Sequence, residues 1–319
     1  MDERTLISTC FDRRRSSGSA GRSDVVLGIG DDAAILRVDP GFELLVATDS
    51  IAEGTHFPAG IPAAAVGHRC LAVNLSDMAA MAAEPLWYSL ALSLPEAKAE
   101  WVSDFARGLF ALGDRFGVEL VGGDTVRGPL GATVTIHGRA RPGEAVLRTG
   151  AAPGDGVWVT GSPGDAVAGR MLLPEPAAGA AAEALRGRFL YPEPRVLEGR
   201  ALAGIATAML DLSDGLDDDL RKLLAASGVG AEMDAGALPL SAELRSFRAG
   251  AAVGCALTGG DDYELCFTVR PADEQRLRDL AGSWTVPVTR IGTIVPGAGC
   301  SWRLDGQLVA VPDTTYRHF

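Results

Sequence analysis

Gly28-Ile29-Gly30-Asp31-Asp32-Ala33-Ala34-Ile35-Leu36 sets two adjacent carboxylates on a glycine turn between apolar runs. Two carboxylates about 4 Å apart repel by roughly 4 kcal/mol at an effective dielectric of about 20, so such a pair either splays into water or faces positive charge. The stretch alone leaves both readings open. The same device, an aspartate at the end of an apolar strand or the start of a helix, recurs at Asp49, Asp77, Asp124, Asp211 and Asp214.

Upstream of the turn, residues 24–29 read as a strand; downstream, 33–38 and 43–48 read as a hairpin around Pro40-Gly41. Small and aliphatic residues at helical spacing over 62–83 predict a helix that carries Asp77, with Pro62 in its first turn. A strand over 86–94 is followed by an amphipathic helix with Trp101, Phe105, Leu109, Leu112 and Phe116 on its core face. A short strand over 118–121 is expected to stop at Gly122-Gly123-Asp124-Thr125, and another covers 132–140. The turn-rich stretch 141–155 places a domain boundary near residue 150, giving domains 1–150 and 151–319.

In the second domain, strands at 156–160 and ending at Leu210 are expected, with a helix over 194–206 between them. The second strand delivers Asp211-Leu212-Ser213-Asp214-Gly215, followed by a helix through Leu224. Gly259-Gly260-Asp261-Asp262 then precedes a strand over 265–269. Asn74-Leu75-Ser76-Asp77 and Asp211-Leu212-Ser213-Asp214 share an offset with Gly122-Gly123-Asp124 and Gly259-Gly260-Asp261. This raises an internal duplication, an idea that non-equivalent elements at these positions would remove.

A chain of 319 residues exceeds what one core usually serves, which fits two domains. Its 47% hydrophobic residues fall in short segments, with no apolar run long enough for a bilayer. The start, MDERTLISTCFDRRR, lacks a signal-type apolar core, so a cytoplasmic protein without membrane partners is expected. With 29 basic and 41 acidic residues the formal charge is −12, which argues against a nucleic-acid surface. Lys98 and Lys222 are the only lysines, and GxxxxGK[ST] is absent, so phosphates must be held by arginine, backbone N–H groups or bound cations. Five cysteines without a CxxC pair and four histidines without HExxH spacing argue against a disulfide framework or zinc site.

Gly28-x-Gly30-x-x-Ala33 formally matches a dinucleotide fingerprint, but residues 33–38 read as strand rather than helix, and Asp31-Asp32 would face the pyrophosphate with like charge. An EF-hand starting at Asp211 fails because Leu216 and Lys222 stand where glycine and a bidentate acid are needed. Asp217-Asp218-Asp219 reads as a charged helix start, otherwise solvated. Any single aspartate here could be a cap or a turn residue. The ensemble Asp32, Asp49, Asp77, Asp124, Asp211 and Asp214 instead points to convergence on magnesium ions, which take oxygen ligands and could gather a nucleoside triphosphate for in-line phosphoryl transfer.

Taken together, GIGDDAAIL, ATDSIAEGTHF, NLSDMAAM, GGDTVRGP, LRTGAAPGD, DLSDGL, TGGDDYELCF and the terminal TYRHF resemble, in order and nearly end to end, the thiamine-monophosphate kinases. These belong to the superfamily of aminoimidazole ribonucleotide synthetase and selenide water dikinase. The resemblance implies an N-terminal α/β domain that dimerises through its strands, then an α+β domain, with nucleotide bound near their junction. It also implies ATP-dependent phosphorylation of thiamine monophosphate to thiamine diphosphate by a homodimer using several Mg2+ ions. By the same resemblance Asp32, Thr48, Asp49, Asp77, Asp124, Asp211 and Asp214 are metal ligands, and Gly123, Asp124, Arg148 and Ser213 contact ATP. His56, Asp261 and Tyr316 contact the thiamine side. No residue is assigned as general base. The chain departs from the family at Asp261, where Glu is frequent, at Ala47, where Ser can stand, and at Ala106, where an aromatic can stand.

Overall fold

A computed structural model describes residues 3–12, 21–174, 176 and 179–311. The chain divides into two compact units, Met1–Met78 with Ala83–Gly143, and Ala79–Ala82 with Glu144–Phe319.

In the first unit Val25–Leu27 (β1) and Ile35–Leu36 (β2) form a short antiparallel ribbon, and the glycine turn that opens the sequence reading is its loop. Glu43–Ala52 (β3), Glu84–Leu94 (β4), Glu119–Arg127 (β5) and Gly131–Ala140 (β6) make a mixed sheet in the order β3-β6-β4-β5. Strand alternation divides its faces. Ala132, Val134 and Ile136 of β6 are buried, whereas Thr133 and Thr135 are half-buried on the other face. That second face carries hydroxyl pairs across β3 and β6, Thr48 with Thr135 at 3.0 Å and Ser50 with Thr133 at 2.7 Å.

Helices Ala63–Ala80 and Ala99–Phe116 follow β3 and β4. Helix Ala63–Ala80 covers the buried face, where a Cβ at Gly138 of β6 would lie 2.6 Å from Met78 Sδ. This helix is buried on nearly every side, as expected of one enclosed by other elements. The two helices cross backbone to backbone. A Cβ at Gly67 would lie 2.0 Å from the Phe105 carbonyl oxygen, and one at Gly108 would lie 1.9 Å from that of Ala64.

Two local expectations are corrected. Segments 33–38 and 43–48 do not form a hairpin, because β3 extends to ten residues that pair along their whole length with β6, while Ile35–Leu36 pairs with β1. Likewise Gly122-Gly123-Asp124 does not end its strand: β5 runs through it to Arg127.

The second unit is built on a seven-stranded mixed sheet. Its strands are Gly156–Thr160 (β7), Ala206–Asp211 (β8), Gly230–Asp234 (β9), Leu265–Val269 (β10), Val288–Val295 (β11), Gly299–Leu304 (β12) and Gln307–Val309 (β13), in the order β13-β12-β9-β11-β7-β10-β8. Central β7 and β10 are buried at every residue, which fits their largely apolar sequences. Helix Leu216–Ser227 turns Leu216, Leu220, Leu223 and Leu224 into the core with Val157, Leu210 and Ile291. The helix expected over 194–206 is shorter, Val196–Ala201, because β8 begins at Ala206.

The duplication idea is removed as well. Asn74–Asp77 lies within a helix, whereas Asp211–Asp214 leaves a strand end. Gly122–Asp124 lies inside β5, whereas Gly259–Asp261 joins helix Ala252–Thr258 to β10.

The helix crossing leaves no room for a side chain at Gly108. Gly108→Ala is expected to lower stability by about 1–3 kcal/mol in urea unfolding; unchanged stability would contradict the close approach.

Candidate functional site

In the first unit the Gly28–Leu36 loop forms one wall of a pocket of about 510 Å³. Asp32 and Asp124 both line it, with Gly123, Ser89 and His137. The two aspartates of the turn have separate roles: one Asp31 carboxylate oxygen accepts the Asp32 N–H at 2.8 Å, so Asp31 shapes the loop that presents Asp32. Gly123 is required by space, since a Cβ there would lie 1.9 Å from the Leu90 carbonyl oxygen. Asp124 accepts the N–H of Thr125 at 2.9 Å and is exposed. His137, which sequence reasoning left aside, has an Nδ1 with no hydrogen-bond partner among the described residues. Burial holds its pKa below the usual histidine range against a contact with the Trp87 backbone.

Asp49 and the helix that carries Asp77 meet elsewhere. Asn74 Oδ1 accepts the Asp49 N–H at 3.1 Å, and Asp77 lies three residues on, on the same face of the helix. By register Asp49 lies opposite Val134 and shares the helix-covered face, whereas Thr48 lies opposite Thr135 on the other face. The side chains of Thr48 and Asp49 therefore point apart, and Thr48 can join an ion held by Asp49 only through its backbone carbonyl. β3 and β5 are opposite edges of the sheet with two strands between them, so Asp49 and Asp124 stand about 14 Å apart. Within this unit Asp32 and Asp124 thus share one pocket, and Asp49 stands apart from Asp124. His56 Nδ1 accepts the Ala52 N–H at 3.0 Å, so the neutral ring carries its proton on Nε2.

In the second unit the two carboxylate turns are joined along their backbones. The Asp261 N–H donates to the Ser213 carbonyl at 2.9 Å, Tyr263 N–H to Leu212 at 2.8 Å, and Leu212 N–H to Glu264 at 2.8 Å. Asp211 is buried at the end of β8, opposite Leu265. Arg148 is exposed, and its carbonyl accepts from Ser227 Oγ at 3.0 Å. Tyr316 lies outside the described residues.

The Asp217–Asp219 run is not a solvated helix start. Asp217 accepts from Trp302 Nε1 at 2.7 Å and from Arg221 at 2.8 Å. Asp219 is 3% exposed, and its Oδ2 accepts the N–H groups of Ser213, Asp214 and Gly215 at 2.9, 2.9 and 3.2 Å. This carboxylate shapes the turn from beneath. Burial pushes its pKa up, and Lys222 opposes that rise.

Among the described residues, the one group of three carboxylates with oxygens within 4.8 Å of one another is Asp214, Asp218 and Asp219. The Lys222 ammonium lies on all three, at 2.6, 2.8 and 2.8 Å. Burial works against its charge, but the carboxylates outweigh burial and raise its pKa. Sequence reasoning noted Lys222 as one of two lysines and as a misfit in a calcium loop; its spacing of three from Asp219 and four from Asp218 on one helix was the available signal.

The profile of the AIR synthase related protein, N-terminal domain, matches residues 30–140, and that of the C-terminal domain matches 152–305. The thiamine-monophosphate kinase of Salmonella typhimurium is 45% identical over 99% of this chain and 98% of its own length. The crystal structure of the thiamine-monophosphate kinase of Stenotrophomonas maltophilia K279a superposes with a TM-score of 0.85 at 45% identity, covering 90% of this chain and 93% of that one. A second structure, AaThiL complexed with AMPPCP and TMP, gives 0.78 at 32% identity and covers 89% of each chain. Two AIR synthase related domains with mixed sheets define the class. Within it, the chain belongs to the thiamine-monophosphate kinase family. No described helix is long and apolar enough to cross a membrane.

Beside Asp261, Asp262 is buried and accepts the N–H groups of Gly164 at 2.7 Å and Ala166 at 3.2 Å. Burial pushes its pKa well up, against the pull of these two donors. The fold therefore holds a proton that the unfolded chain releases. The resulting stabilisation is complete below the ordinary aspartate value of about 4 and is lost as pH rises through the elevated folded value. Urea unfolding at about pH 5 and about pH 8 is expected to show a smaller loss of stability for Asp262→Asn than for the parent; equal losses would contradict the assignment.

Proposed function

We propose that this chain transfers the γ-phosphoryl group of ATP directly onto the phosphate of thiamine monophosphate, yielding thiamine diphosphate and ADP, as a magnesium-dependent cytoplasmic homodimer. The observation that carries this reading is similarity over 99% of the chain to a thiamine-monophosphate kinase. A related structure with AMPPCP and TMP, an ATP analogue and the phosphate acceptor, supports the two substrates.

The donor set fits magnesium. Asp32, Asp49 and Asp124 are exposed, Asp77 and Asp214 are half-buried, and all offer hard carboxylate oxygens. In this reading Asp32, Asp49, Asp77, Asp124, Asp211 and Asp214 hold the ions, and Thr48 contributes its carbonyl. Bound magnesium would neutralise the phosphate oxygens and keep attacking and leaving groups in line. The Gly123 backbone, Asp124, Ser213 and the Arg148 guanidinium hold the nucleotide. The Asp261 carboxylate and Tyr316 meet the cationic thiamine, while His56 offers its Nε2 proton. The acceptor phosphate is already ionised at neutral pH, so no general base is assigned.

The homodimer reading is supported by the uncovered sheet face. Leu44 and Val46 of β3 and Val126 of β5 are 47%, 56% and 50% exposed, unusual for aliphatic residues grouped on one sheet. A second copy laid on this face would cover them, and light scattering is expected to give twice the chain mass. Val46→Asp should shift that to one chain mass; a monomeric parent protein would contradict the reading.

Incubation with ATP, magnesium and thiamine monophosphate is expected to form thiamine diphosphate. Asp77→Asn should lower kcat by roughly a hundredfold or more with its melting temperature unchanged. Turnover near that of the parent at saturating magnesium would sink the metal assignment, and turnover only on another acceptor would sink the substrate assignment.

A further inference from the structure

Asp261 and Tyr263 adopt φ values of +70° and +51°, a left-handed conformation that such residues keep only when their surroundings over-determine it. Immediately behind them Glu264 is wholly buried. Its carboxylate accepts from Thr160 Oγ1 at 2.6 Å, Arg188 Nη2 at 2.6 Å, and Arg195 Nε and Nη2 at 2.6 and 2.5 Å. A buried carboxylate is tolerated only when paired and fully bonded. This one has two guanidinium partners and a hydroxyl. Thr160 Oγ1 also accepts the Leu265 N–H at 2.8 Å, so the same group fixes the residue after Glu264.

The neighbouring Asp211–Gly215 turn has its own support in the three N–H groups held by Asp219. The Asp261–Tyr263 segment is fixed by other groups. It is held by its backbone bonds to Leu212 and Ser213, by Asp262 on Gly164 and Ala166, by the Tyr263 hydroxyl on Asp261 at 3.2 Å, and by Glu264 at its end. Glu264 therefore anchors the end of the segment that carries Asp261.

We propose that the Arg188–Glu264–Arg195 ion triad, closed by Thr160, is a positioning device that holds Asp261 in place and sets the affinity for the phosphate acceptor. The proposal rests on the reading that Asp261 contacts thiamine monophosphate. Arg188 is the residue to vary. Its side chain is 30% exposed while that of Arg195 is 9% exposed, so Arg195 continues to neutralise Glu264 when Arg188 is replaced.

Steady-state kinetics on full-length Arg188→Met should raise KM for thiamine monophosphate roughly tenfold, with KM for ATP and the melting temperature little changed. Arg188→Lys, which restores the charge, should recover most of that loss. Thr160→Val keeps both arginines, should shift the same KM in the same direction, and serves as the test if Arg188→Met fails to fold. Asp261→Ala is measured alongside. If it raises the acceptor KM while Arg188→Met and Thr160→Val do not, the positioning role is overturned and the contact stands. An unchanged acceptor KM in Asp261→Ala overturns both the contact and the positioning role. Equal rises in both KM values with a lower melting temperature assign the triad to general stability and overturn the proposal.

Discussion

One oxygen of Asp219 accepts three consecutive backbone N–H groups, and the candidate site of the second unit depends on that arrangement. Aspartates gathered to meet a cation repel one another, so a fold that presents them needs other bonds to keep them placed. Asp219 supplies these for Ser213 and Asp214. The 261–264 segment is then tied to the same turn through Leu212 and Ser213. The first unit repeats the solution with other groups: Asp31 on the Asp32 N–H, Asn74 on the Asp49 N–H, and Asp124 on the Thr125 N–H. In each case a side-chain oxygen fixes the backbone beside a carboxylate that faces outward.

Strand order sets the second constraint. With β3 and β5 at opposite edges of their sheet, Asp49 and Asp124 cannot touch one ion within the first unit. The open face between those edges carries hydroxyls and exposed aliphatic residues together, a composition suited to a contact with another copy more than to solvent. The proposed dimer therefore bears on the same sheet whose edges carry Asp49 and Asp124.

Where burial made the sequence pattern one-sided, the fold was legible. The amphipathic helix with Trp101, Phe105 and Leu109, and the mostly apolar strand 265–269, lie where their patterns predict. Partner choice was not legible: nothing local in 43–48 distinguishes a hairpin mate from β6, about ninety residues away. Gly123 read as a turn residue, yet its absent side chain serves the close approach of two strands. Of the site, the outward-facing aspartates stood out because charge at strand ends is conspicuous. The acids beneath them did not, since Asp219 and Glu264 take their meaning from N–H groups and arginines that the linear pattern does not pair with them. Lys222 was read as a scarce lysine and a calcium-loop misfit, although its spacing from Asp218 and Asp219 suits a pairing on one helix.

Direct transfer between two phosphates is tested most plainly by following the γ-phosphorus of ATP, labelled with heavy oxygen, by phosphorus NMR in the presence of magnesium and thiamine monophosphate. The account predicts that the label enters the terminal phosphate of thiamine diphosphate, one for each ADP formed. Label found only in inorganic phosphate, with no thiamine diphosphate, would contradict it.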